Sequence, residues 1–157
     1  MNKNTLTSLS VLAITLILGA CTTPPYVEPQ SGNTAEMVVR IQPARGTLFY
    51  LNTYDNAESC SGEKTIVSDT NRISVSKFKF ATEKLTTLQY MEMLGGANCL
   101  MKFSFFGKAN HVYVLDSQTT PGKCSIKLRD ATDMKTLVPV PTIDRYNGDN
   151  VCPNFKG

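Results

Sequence analysis

The sequence predicts a single all-β domain, an antiparallel β-sandwich spanning residues 35–157. Two observations carry that prediction. Seven or eight short apolar runs recur at regular spacing, separated by Gly, Pro, Asn and Asp. Where the pattern is cleanest, over residues 124–129 (CSIKLR), it has period two, with Cys124, Ile126 and Leu128 on one face and Ser125, Lys127 and Arg129 on the other. Short antiparallel strands of this kind, packed face to face, give a sandwich.

The elements follow in order. Residues 36–41 (EMVVRI) form the first strand, closed by Pro43 and Gly46. Residues 47–52 (TLFYLN) form the second, before a polar loop over 53–63 that holds Cys60. A short strand is expected at 64–67. In residues 73–80 (ISVSKFKF) the alternation slips between Val75 and Phe78, as a β-bulge would make it. Residues 82–94 (TEKLTTLQYMEML) are ambiguous. Leu85, Leu88, Met91 and Leu94 recur every third residue and Gly95-Gly96 suits a helix end, yet the segment also alternates. A strand is the preferred reading, because the neighbours are strands. Residues 100–106 and 111–116 flank Gly107-Lys108-Ala109-Asn110 and read as a hairpin. A second turn at residues 117–122 leads into 124–129. Residues 135–140 are a last candidate before Pro139 and Pro141 interrupt them, and residues 146–150 read as a turn ahead of Cys152.

The N-terminus is organised differently. Met1-Asn2-Lys3-Asn4 is basic, and the apolar run over residues 6–18 has thirteen residues. A spanning helix needs about 20, so the run fits a cleaved export signal. Leu18-Gly19-Ala20-Cys21 resembles the lipobox of bacterial lipoproteins. The resemblance implies a signal peptide over residues 1–20, lipidation of Cys21 with palmitate-like chains, and membrane attachment through that lipid. Residues 21–34 contain three prolines and mostly polar side chains, and are expected to form a disordered or extended tether. Residue 22 is Thr, where Asp retains enterobacterial lipoproteins in the inner membrane. By the same resemblance, the domain is expected in the periplasm, on an outer-membrane anchor.

The chain has sixteen basic and thirteen acidic residues, and removal of Lys3 with the signal leaves a net +2. So small an excess points to no particular partner. Export excludes nucleic acid. Beyond Cys21 there are four cysteines, Cys60, Cys99, Cys124 and Cys152, with long spacings, no Cys-x-x-Cys and one histidine. An even number in an exported domain reads as two disulfides rather than a zinc site. Of the three possible pairings, Cys99–Cys124 with Cys60–Cys152 is preferred, since the second ties the C-terminal tail to the early part of the domain.

The stretch running Cys99, Phe103-Ser104-Phe105, His111-Val112-Tyr113-Val114 and Gly122-Lys123-Cys124-Ser125-Ile126 resembles uncharacterised lipoproteins of Gram-negative bacteria. These imply an immunoglobulin- or transthyretin-like sandwich and no assigned activity.

A search for chemistry returns little. His111 is the natural general base, but it shares a predicted strand face with Tyr113 and Leu115, without a carboxylate. Asp130 and Asp133 could ligate calcium, although no Asp-x-Asp-x-Asp-Gly pattern supports this, and Asp also starts turns. Phe49, Tyr50, Phe103, Phe105, Phe106 and Tyr113 could line a ligand cleft or pack as core. In a regular strand Phe105 and Phe106 point to opposite faces. No cofactor and no metal is implied. The leading expectation is a non-enzymatic envelope lipoprotein that binds a protein or cell-wall component near the membrane. The small sandwich lipoprotein of the type VI secretion membrane complex is the alternative, and an enzyme or enzyme inhibitor is the third.

Overall fold

Period-two patterning runs through most of the chain, and each alternating run becomes a strand with its apolar side turned inward. The computed structural model describes residues 23–43, 47–70, 74–94, 97–120, 123–146 and 151–152. The expected signal sequence, Cys21, Gly95-Gly96, Pro121-Gly122 and residues 147–150 of the expected tail turn lie outside the described residues. Ten strands are present among those described: β1 (Thr34–Gln42), β2 (Leu48–Asn56), β3 (Ser61–Asp69), β4 (Ser74–Ala81), β5 (Leu85–Leu94), β6 (Ala97–Phe106), β7 (Val112–Thr120), β8 (Lys123–Asp130), β9 (Val138–Pro139) and β10 (Ile143–Asp144). No helix occurs among them.

The strands form two five-stranded sheets, ordered β4-β1-β7-β8-β9 and β10-β6-β5-β2-β3. They pack as a β-sandwich. Met37, Val39, Ile41, Phe80, Tyr113 and Leu115 from the first sheet meet Phe49, Leu51, Leu88, Tyr90 and Phe105 from the second. Phe105 sits at the centre, its ring 5.6 Å from Phe80 and 5.8 Å from Tyr113. Its neighbour Phe106 points the other way and is 64% exposed. Residues 85–94 form a strand, paired on both sides by β2 and β6. Their every-third-residue leucines are incidental to a strand that is buried on both faces.

Several expectations need correction. One pair is parallel: β1 runs alongside β7 from Glu36 opposite Val112 to Gln42 opposite Gln118. The 100–106 and 111–116 runs are not a hairpin, because β6 and β7 belong to different sheets. A four-residue loop with glycine serves a crossing between sheets as readily as a turn within one. Gly107 is needed for close approach, since a Cβ there would lie 2.5 Å from the Phe80 ring. The loop is held by Asn110, in left-handed conformation, donating its N–H to the Thr34 carbonyl at 2.8 Å. No bulge interrupts β4. Its pairing with β1 is regular and Val75 simply faces outward, 63% exposed. The register shift falls instead between Leu51 and Asn52 on β2. The third strand is longer than 64–67, and the 135–140 run shortens to two residues because Pro139 cannot donate to a ladder.

The segment read as a disordered or extended tether is partly docked. The Thr65 N–H donates to the Pro24 carbonyl at 2.9 Å and the Tyr26 N–H to the Thr65 carbonyl at 2.8 Å, along the outer edge of β3. Pro25 is tolerated there because the bonds are made by its neighbours. Tyr26 reaches across to the other sheet, with its ring edge-on to Phe78 at 5.8 Å and its hydroxyl donating to the Lys79 carbonyl at 2.9 Å. Burial, with a smaller contribution from Glu28, pushes its phenol up to about 12. One half-buried ring anchors an otherwise polar segment across the side where β3 and β4 meet.

Candidate functional site

Both disulfides are formed in the preferred pairing. Cys60–Cys152 has a Cα separation of 5.6 Å and Cys99–Cys124 one of 6.0 Å. The first joins the turn after β2 to the C-terminal tail. The second joins β6 to β8, hence one sheet to the other. Those two strands lie near the open side of the sandwich, opposite the Tyr26 strap, and each is flanked there only by a two-residue strand.

Between them lies a cleft of about 450 Å³. Leu100, Met101 and Phe103 form one wall, Ile126 and Leu128 the other, and Pro139 and Val140 close one end. Asp144 and Tyr146 supply the polar part of its lining, while Arg129, also at its border, turns its guanidinium to Asp116 on the outer face of the sheet. The volume and the mixture fit a ligand-sized or side-chain-sized site, for which ~300–1,000 Å³ is usual. Lys102 also lines it and is almost wholly buried, because the tail and Tyr54 cover the outer face of β6. Its ammonium sits 4.9 Å from the centre of the Tyr54 ring. Burial lowers its pKa, with Glu63 opposing and Arg145 adding. Sequence inspection missed this site. The alternation places Lys102 outward, and nothing local signals that distant chain would cover it.

His111 is not without a carboxylate, contrary to expectation. Its Nδ1 lies 2.6 Å from Asp130 Oδ2, and its ring stacks on Tyr113 at 6.1 Å. The partner comes from the end of β8, which β7 brings alongside by placing Tyr113 opposite Asp130. Asp130 Oδ1 accepts from both the N–H and the hydroxyl of Thr132, at 2.9 and 2.6 Å. Burial works to raise the Asp130 carboxyl, but the two Thr132 bonds and then His111 outweigh it and hold the carboxyl below the usual range. The carboxylate is therefore employed in ordering the β7–β8 end and the turn that follows. Among the described residues, no hydroxyl or thiol is hydrogen-bonded to the other ring nitrogen.

Asp130 and Asp133 do not converge on a shared point. Asp133 accepts from the Lys135 N–H at 3.2 Å and the Thr136 hydroxyl at 3.4 Å, as a turn-starting Asp does. Among the described residues no group of three His, Cys, Asp or Glu could hold a metal ion. Of the aromatics, Phe49, Phe103, Phe105 and Tyr113 are core, and Tyr50 is half-buried.

A buried carboxylate was also overlooked. Glu92 points into one end of the sandwich and accepts from the hydroxyls of Thr47 (3.0 Å), Tyr90 (2.8 Å) and Thr119 (2.5 Å). Three hydroxyl donors, from Thr47 just before β2, from β5 and from β7, compensate its burial.

No protein-family model matches the chain, and no curated protein matches it.

Proposed function

We propose that the chain is a bacterial lipoprotein, held in the outer membrane through lipid on Cys21. On this reading it acts in the periplasm as a non-catalytic binding module for a protein or cell-wall component. The observation that carries the binding role is the cleft between β6 and β8. Its floor is apolar, its lining includes charged and aromatic side chains, and its walls are fixed relative to one another by Cys99–Cys124. A preformed, rigid, largely apolar cleft with few polar groups is the usual form of a recognition site. Two disulfides support an oxidising compartment.

The anchor is tested by labelled palmitate. Wild-type protein should incorporate it, and Cys21→Ser should not. Label retained in Cys21→Ser would end the lipoprotein reading. The binding role is tested in native envelopes with a photo-crosslinking side chain at Tyr146, on the cleft, or at Phe106, exposed on a distant part of the surface. A discrete adduct is expected from position 146 only, and it should disappear when Ile126→Arg fills the cleft. Adducts that are identical from both positions, or absent from both, would remove the cleft from the proposal.

A further inference from the structure

The first sheet has an outer face, and its composition follows from register. Pairing places Lys79 beside Glu36, Lys77 beside Val38, and Val75 beside Arg40 across β4 and β1. The parallel pair sets Arg40 beside Asp116, and the β7–β8 hairpin sets Asp116 beside Lys127, Val114 beside Arg129 and Thr120 beside Lys123. Six cations thus share one face with two acids. Asp116 is divided between Arg40, at 2.6 Å, and Arg129, and Lys77 reaches Glu36 at 3.5 Å. Lys79, Lys123 and Lys127 have no acidic partner among the described residues. The face carries +4, while the whole mature chain carries +2, so the remainder is net −2. The small total charge conceals a two-sided molecule. Val75 stands exposed among these cations, beside Lys77 along the strand.

The strap fixes where the anchor leaves the domain. Pro24 is bonded to β3 and Tyr26 to β4, and Cys21 precedes Pro24 by three residues. Three extended residues span at most about 10 Å. On the lipid anchor proposed above, so short a connection makes the β3–β4 side, on whose edge Lys77 and Lys79 lie, the side tethered to the bilayer. Screening at physiological ionic strength acts over about 8 Å, so an anchor this short keeps the β4 lysines within electrostatic range of headgroups.

We infer that the outer face of the β4-β1-β7-β8 sheet is a membrane-apposed surface, which lays the domain down on anionic phospholipid headgroups. This inference rests on the lipid anchor proposed above. Basic side chains around an exposed apolar residue are the composition that interfacial surfaces use. With this face down, the cleft opens sideways, parallel to the bilayer, and the acidic remainder faces away from it.

The test uses native lipidated protein reconstituted into vesicles of phosphatidylcholine alone or with a third phosphatidylglycerol. Lysine acetylation is then read residue by residue by mass spectrometry, which also reports acylation of the N-terminal peptide. On anionic vesicles Lys77, Lys79 and Lys127 should label several-fold more slowly than on neutral ones, with Lys84 and Lys135 as unchanged references. High salt should abolish the difference. Each surface lysine contributes about fivefold near such a membrane, so Lys77→Gln with Lys79→Gln should lower the ratio of face-down to free orientations about twenty-five-fold and restore labelling at Lys127. Both side chains are exposed, so folding is not at risk. Equal labelling on the two vesicle types, in acylated protein, overturns the inference and leaves the anchor standing. Equal protection on both types overturns the electrostatic argument. A peptide without acyl chains overturns the anchor reading and this inference with it. Protection seen only in whole envelopes, and not on vesicles, assigns the face to an acidic macromolecule and overturns the membrane assignment.

Discussion

Removing the two disulfides one at a time separates their contributions, and the chain itself supplies the magnitudes. Cys60–Cys152 closes a sequence separation of 92 residues, and Cys99–Cys124 one of 25. In the chain-entropy model, loops of these lengths contribute about 4.6 and about 3.5 kcal/mol at 25 °C. The long bridge reaches that value only if its ends stay together in the folded state without it. They are expected to, because other bonds hold the tail: Arg145 donates to the carbonyls of Ala57 and Glu58, its N–H to the Lys102 carbonyl, and the Cys152 N–H to the Arg145 carbonyl. Cys152 is fully buried, so truncation adds a small cavity term in the same direction. Cys60→Ala with Cys152→Ala should therefore destabilise the domain by roughly 4–5 kcal/mol, about 1 kcal/mol more than Cys99→Ala with Cys124→Ala. Urea unfolding of both oxidised double variants, followed by circular dichroism and fitted with a common slope, gives the two values. If the long-bridge variant lost no more than the short-bridge one, the tail would be held by its disulfide alone, and the reasoning would fail.

Three further outcomes follow. Phe105→Ala should cost about 3–5 kcal/mol and Phe106→Ala less than about 0.5, measured by urea unfolding; similar costs would contradict the opposite facing of adjacent rings. His111→Gln should fold, localise and complement a deletion strain at matched abundance, with a loss of no more than about 1 kcal/mol for a partly exposed pair. Failed complementation by a well-folded variant would make His111 the first residue of a catalytic site. Acid should destabilise the domain through Asp116 and Asp130. Burial acts to raise the Asp116 carboxyl, but the bonds from Arg40 and Arg129 prevail and lower it, as Thr132 and His111 lower Asp130. Folded values below the unfolded value of about 3.9 mean that this stability is complete above that pH and lost as pH falls below it. A stability profile flat between pH 5 and 2.5 would refute the pairing.

The β-sandwich was legible because its signal is local. Residues 124–129 alternate in the sequence as they do in β8, and the opposite facing of Phe105 and Phe106 needs only the pleat. Three disulfide pairings were open, and the one preferred for tying the tail to the early part of the domain is the one formed. What escaped was set by which strands become neighbours. Gly107-Lys108-Ala109-Asn110 carries turn chemistry without stating whether the next strand returns to the same sheet. Asp130 is 19 residues from His111, and only the β7–β8 register brings them to 2.6 Å. Lys102 reads as an outward surface lysine until the tail is folded over it. The cationic face was divided among β1, β4 and β8, each unremarkable alone, and it emerges only when the strands are set side by side. Tyr26 was read by the company it keeps, three prolines and polar residues, whereas a single aromatic ring sufficed to dock its segment.

The parallel pairing of β1 with β7 also governs the order in which the chain can become a domain. β1 sits second in its sheet, between β4 and β7, and Arg40 meets Asp116, which lies 76 positions further along the chain. A chain emerging N-terminus first can form β1 with β4 early, but that two-stranded unit leaves the inner edge of β1 unpaired until more than two-thirds of the polypeptide has arrived. Closure of so long a loop precedes any reward from the contacts it enables, so the rate of folding is limited by sequence separation rather than by local propensity. Assembly of the first sheet is thereby postponed until β7 has been made, and until then one edge of β1 stays open to other partners.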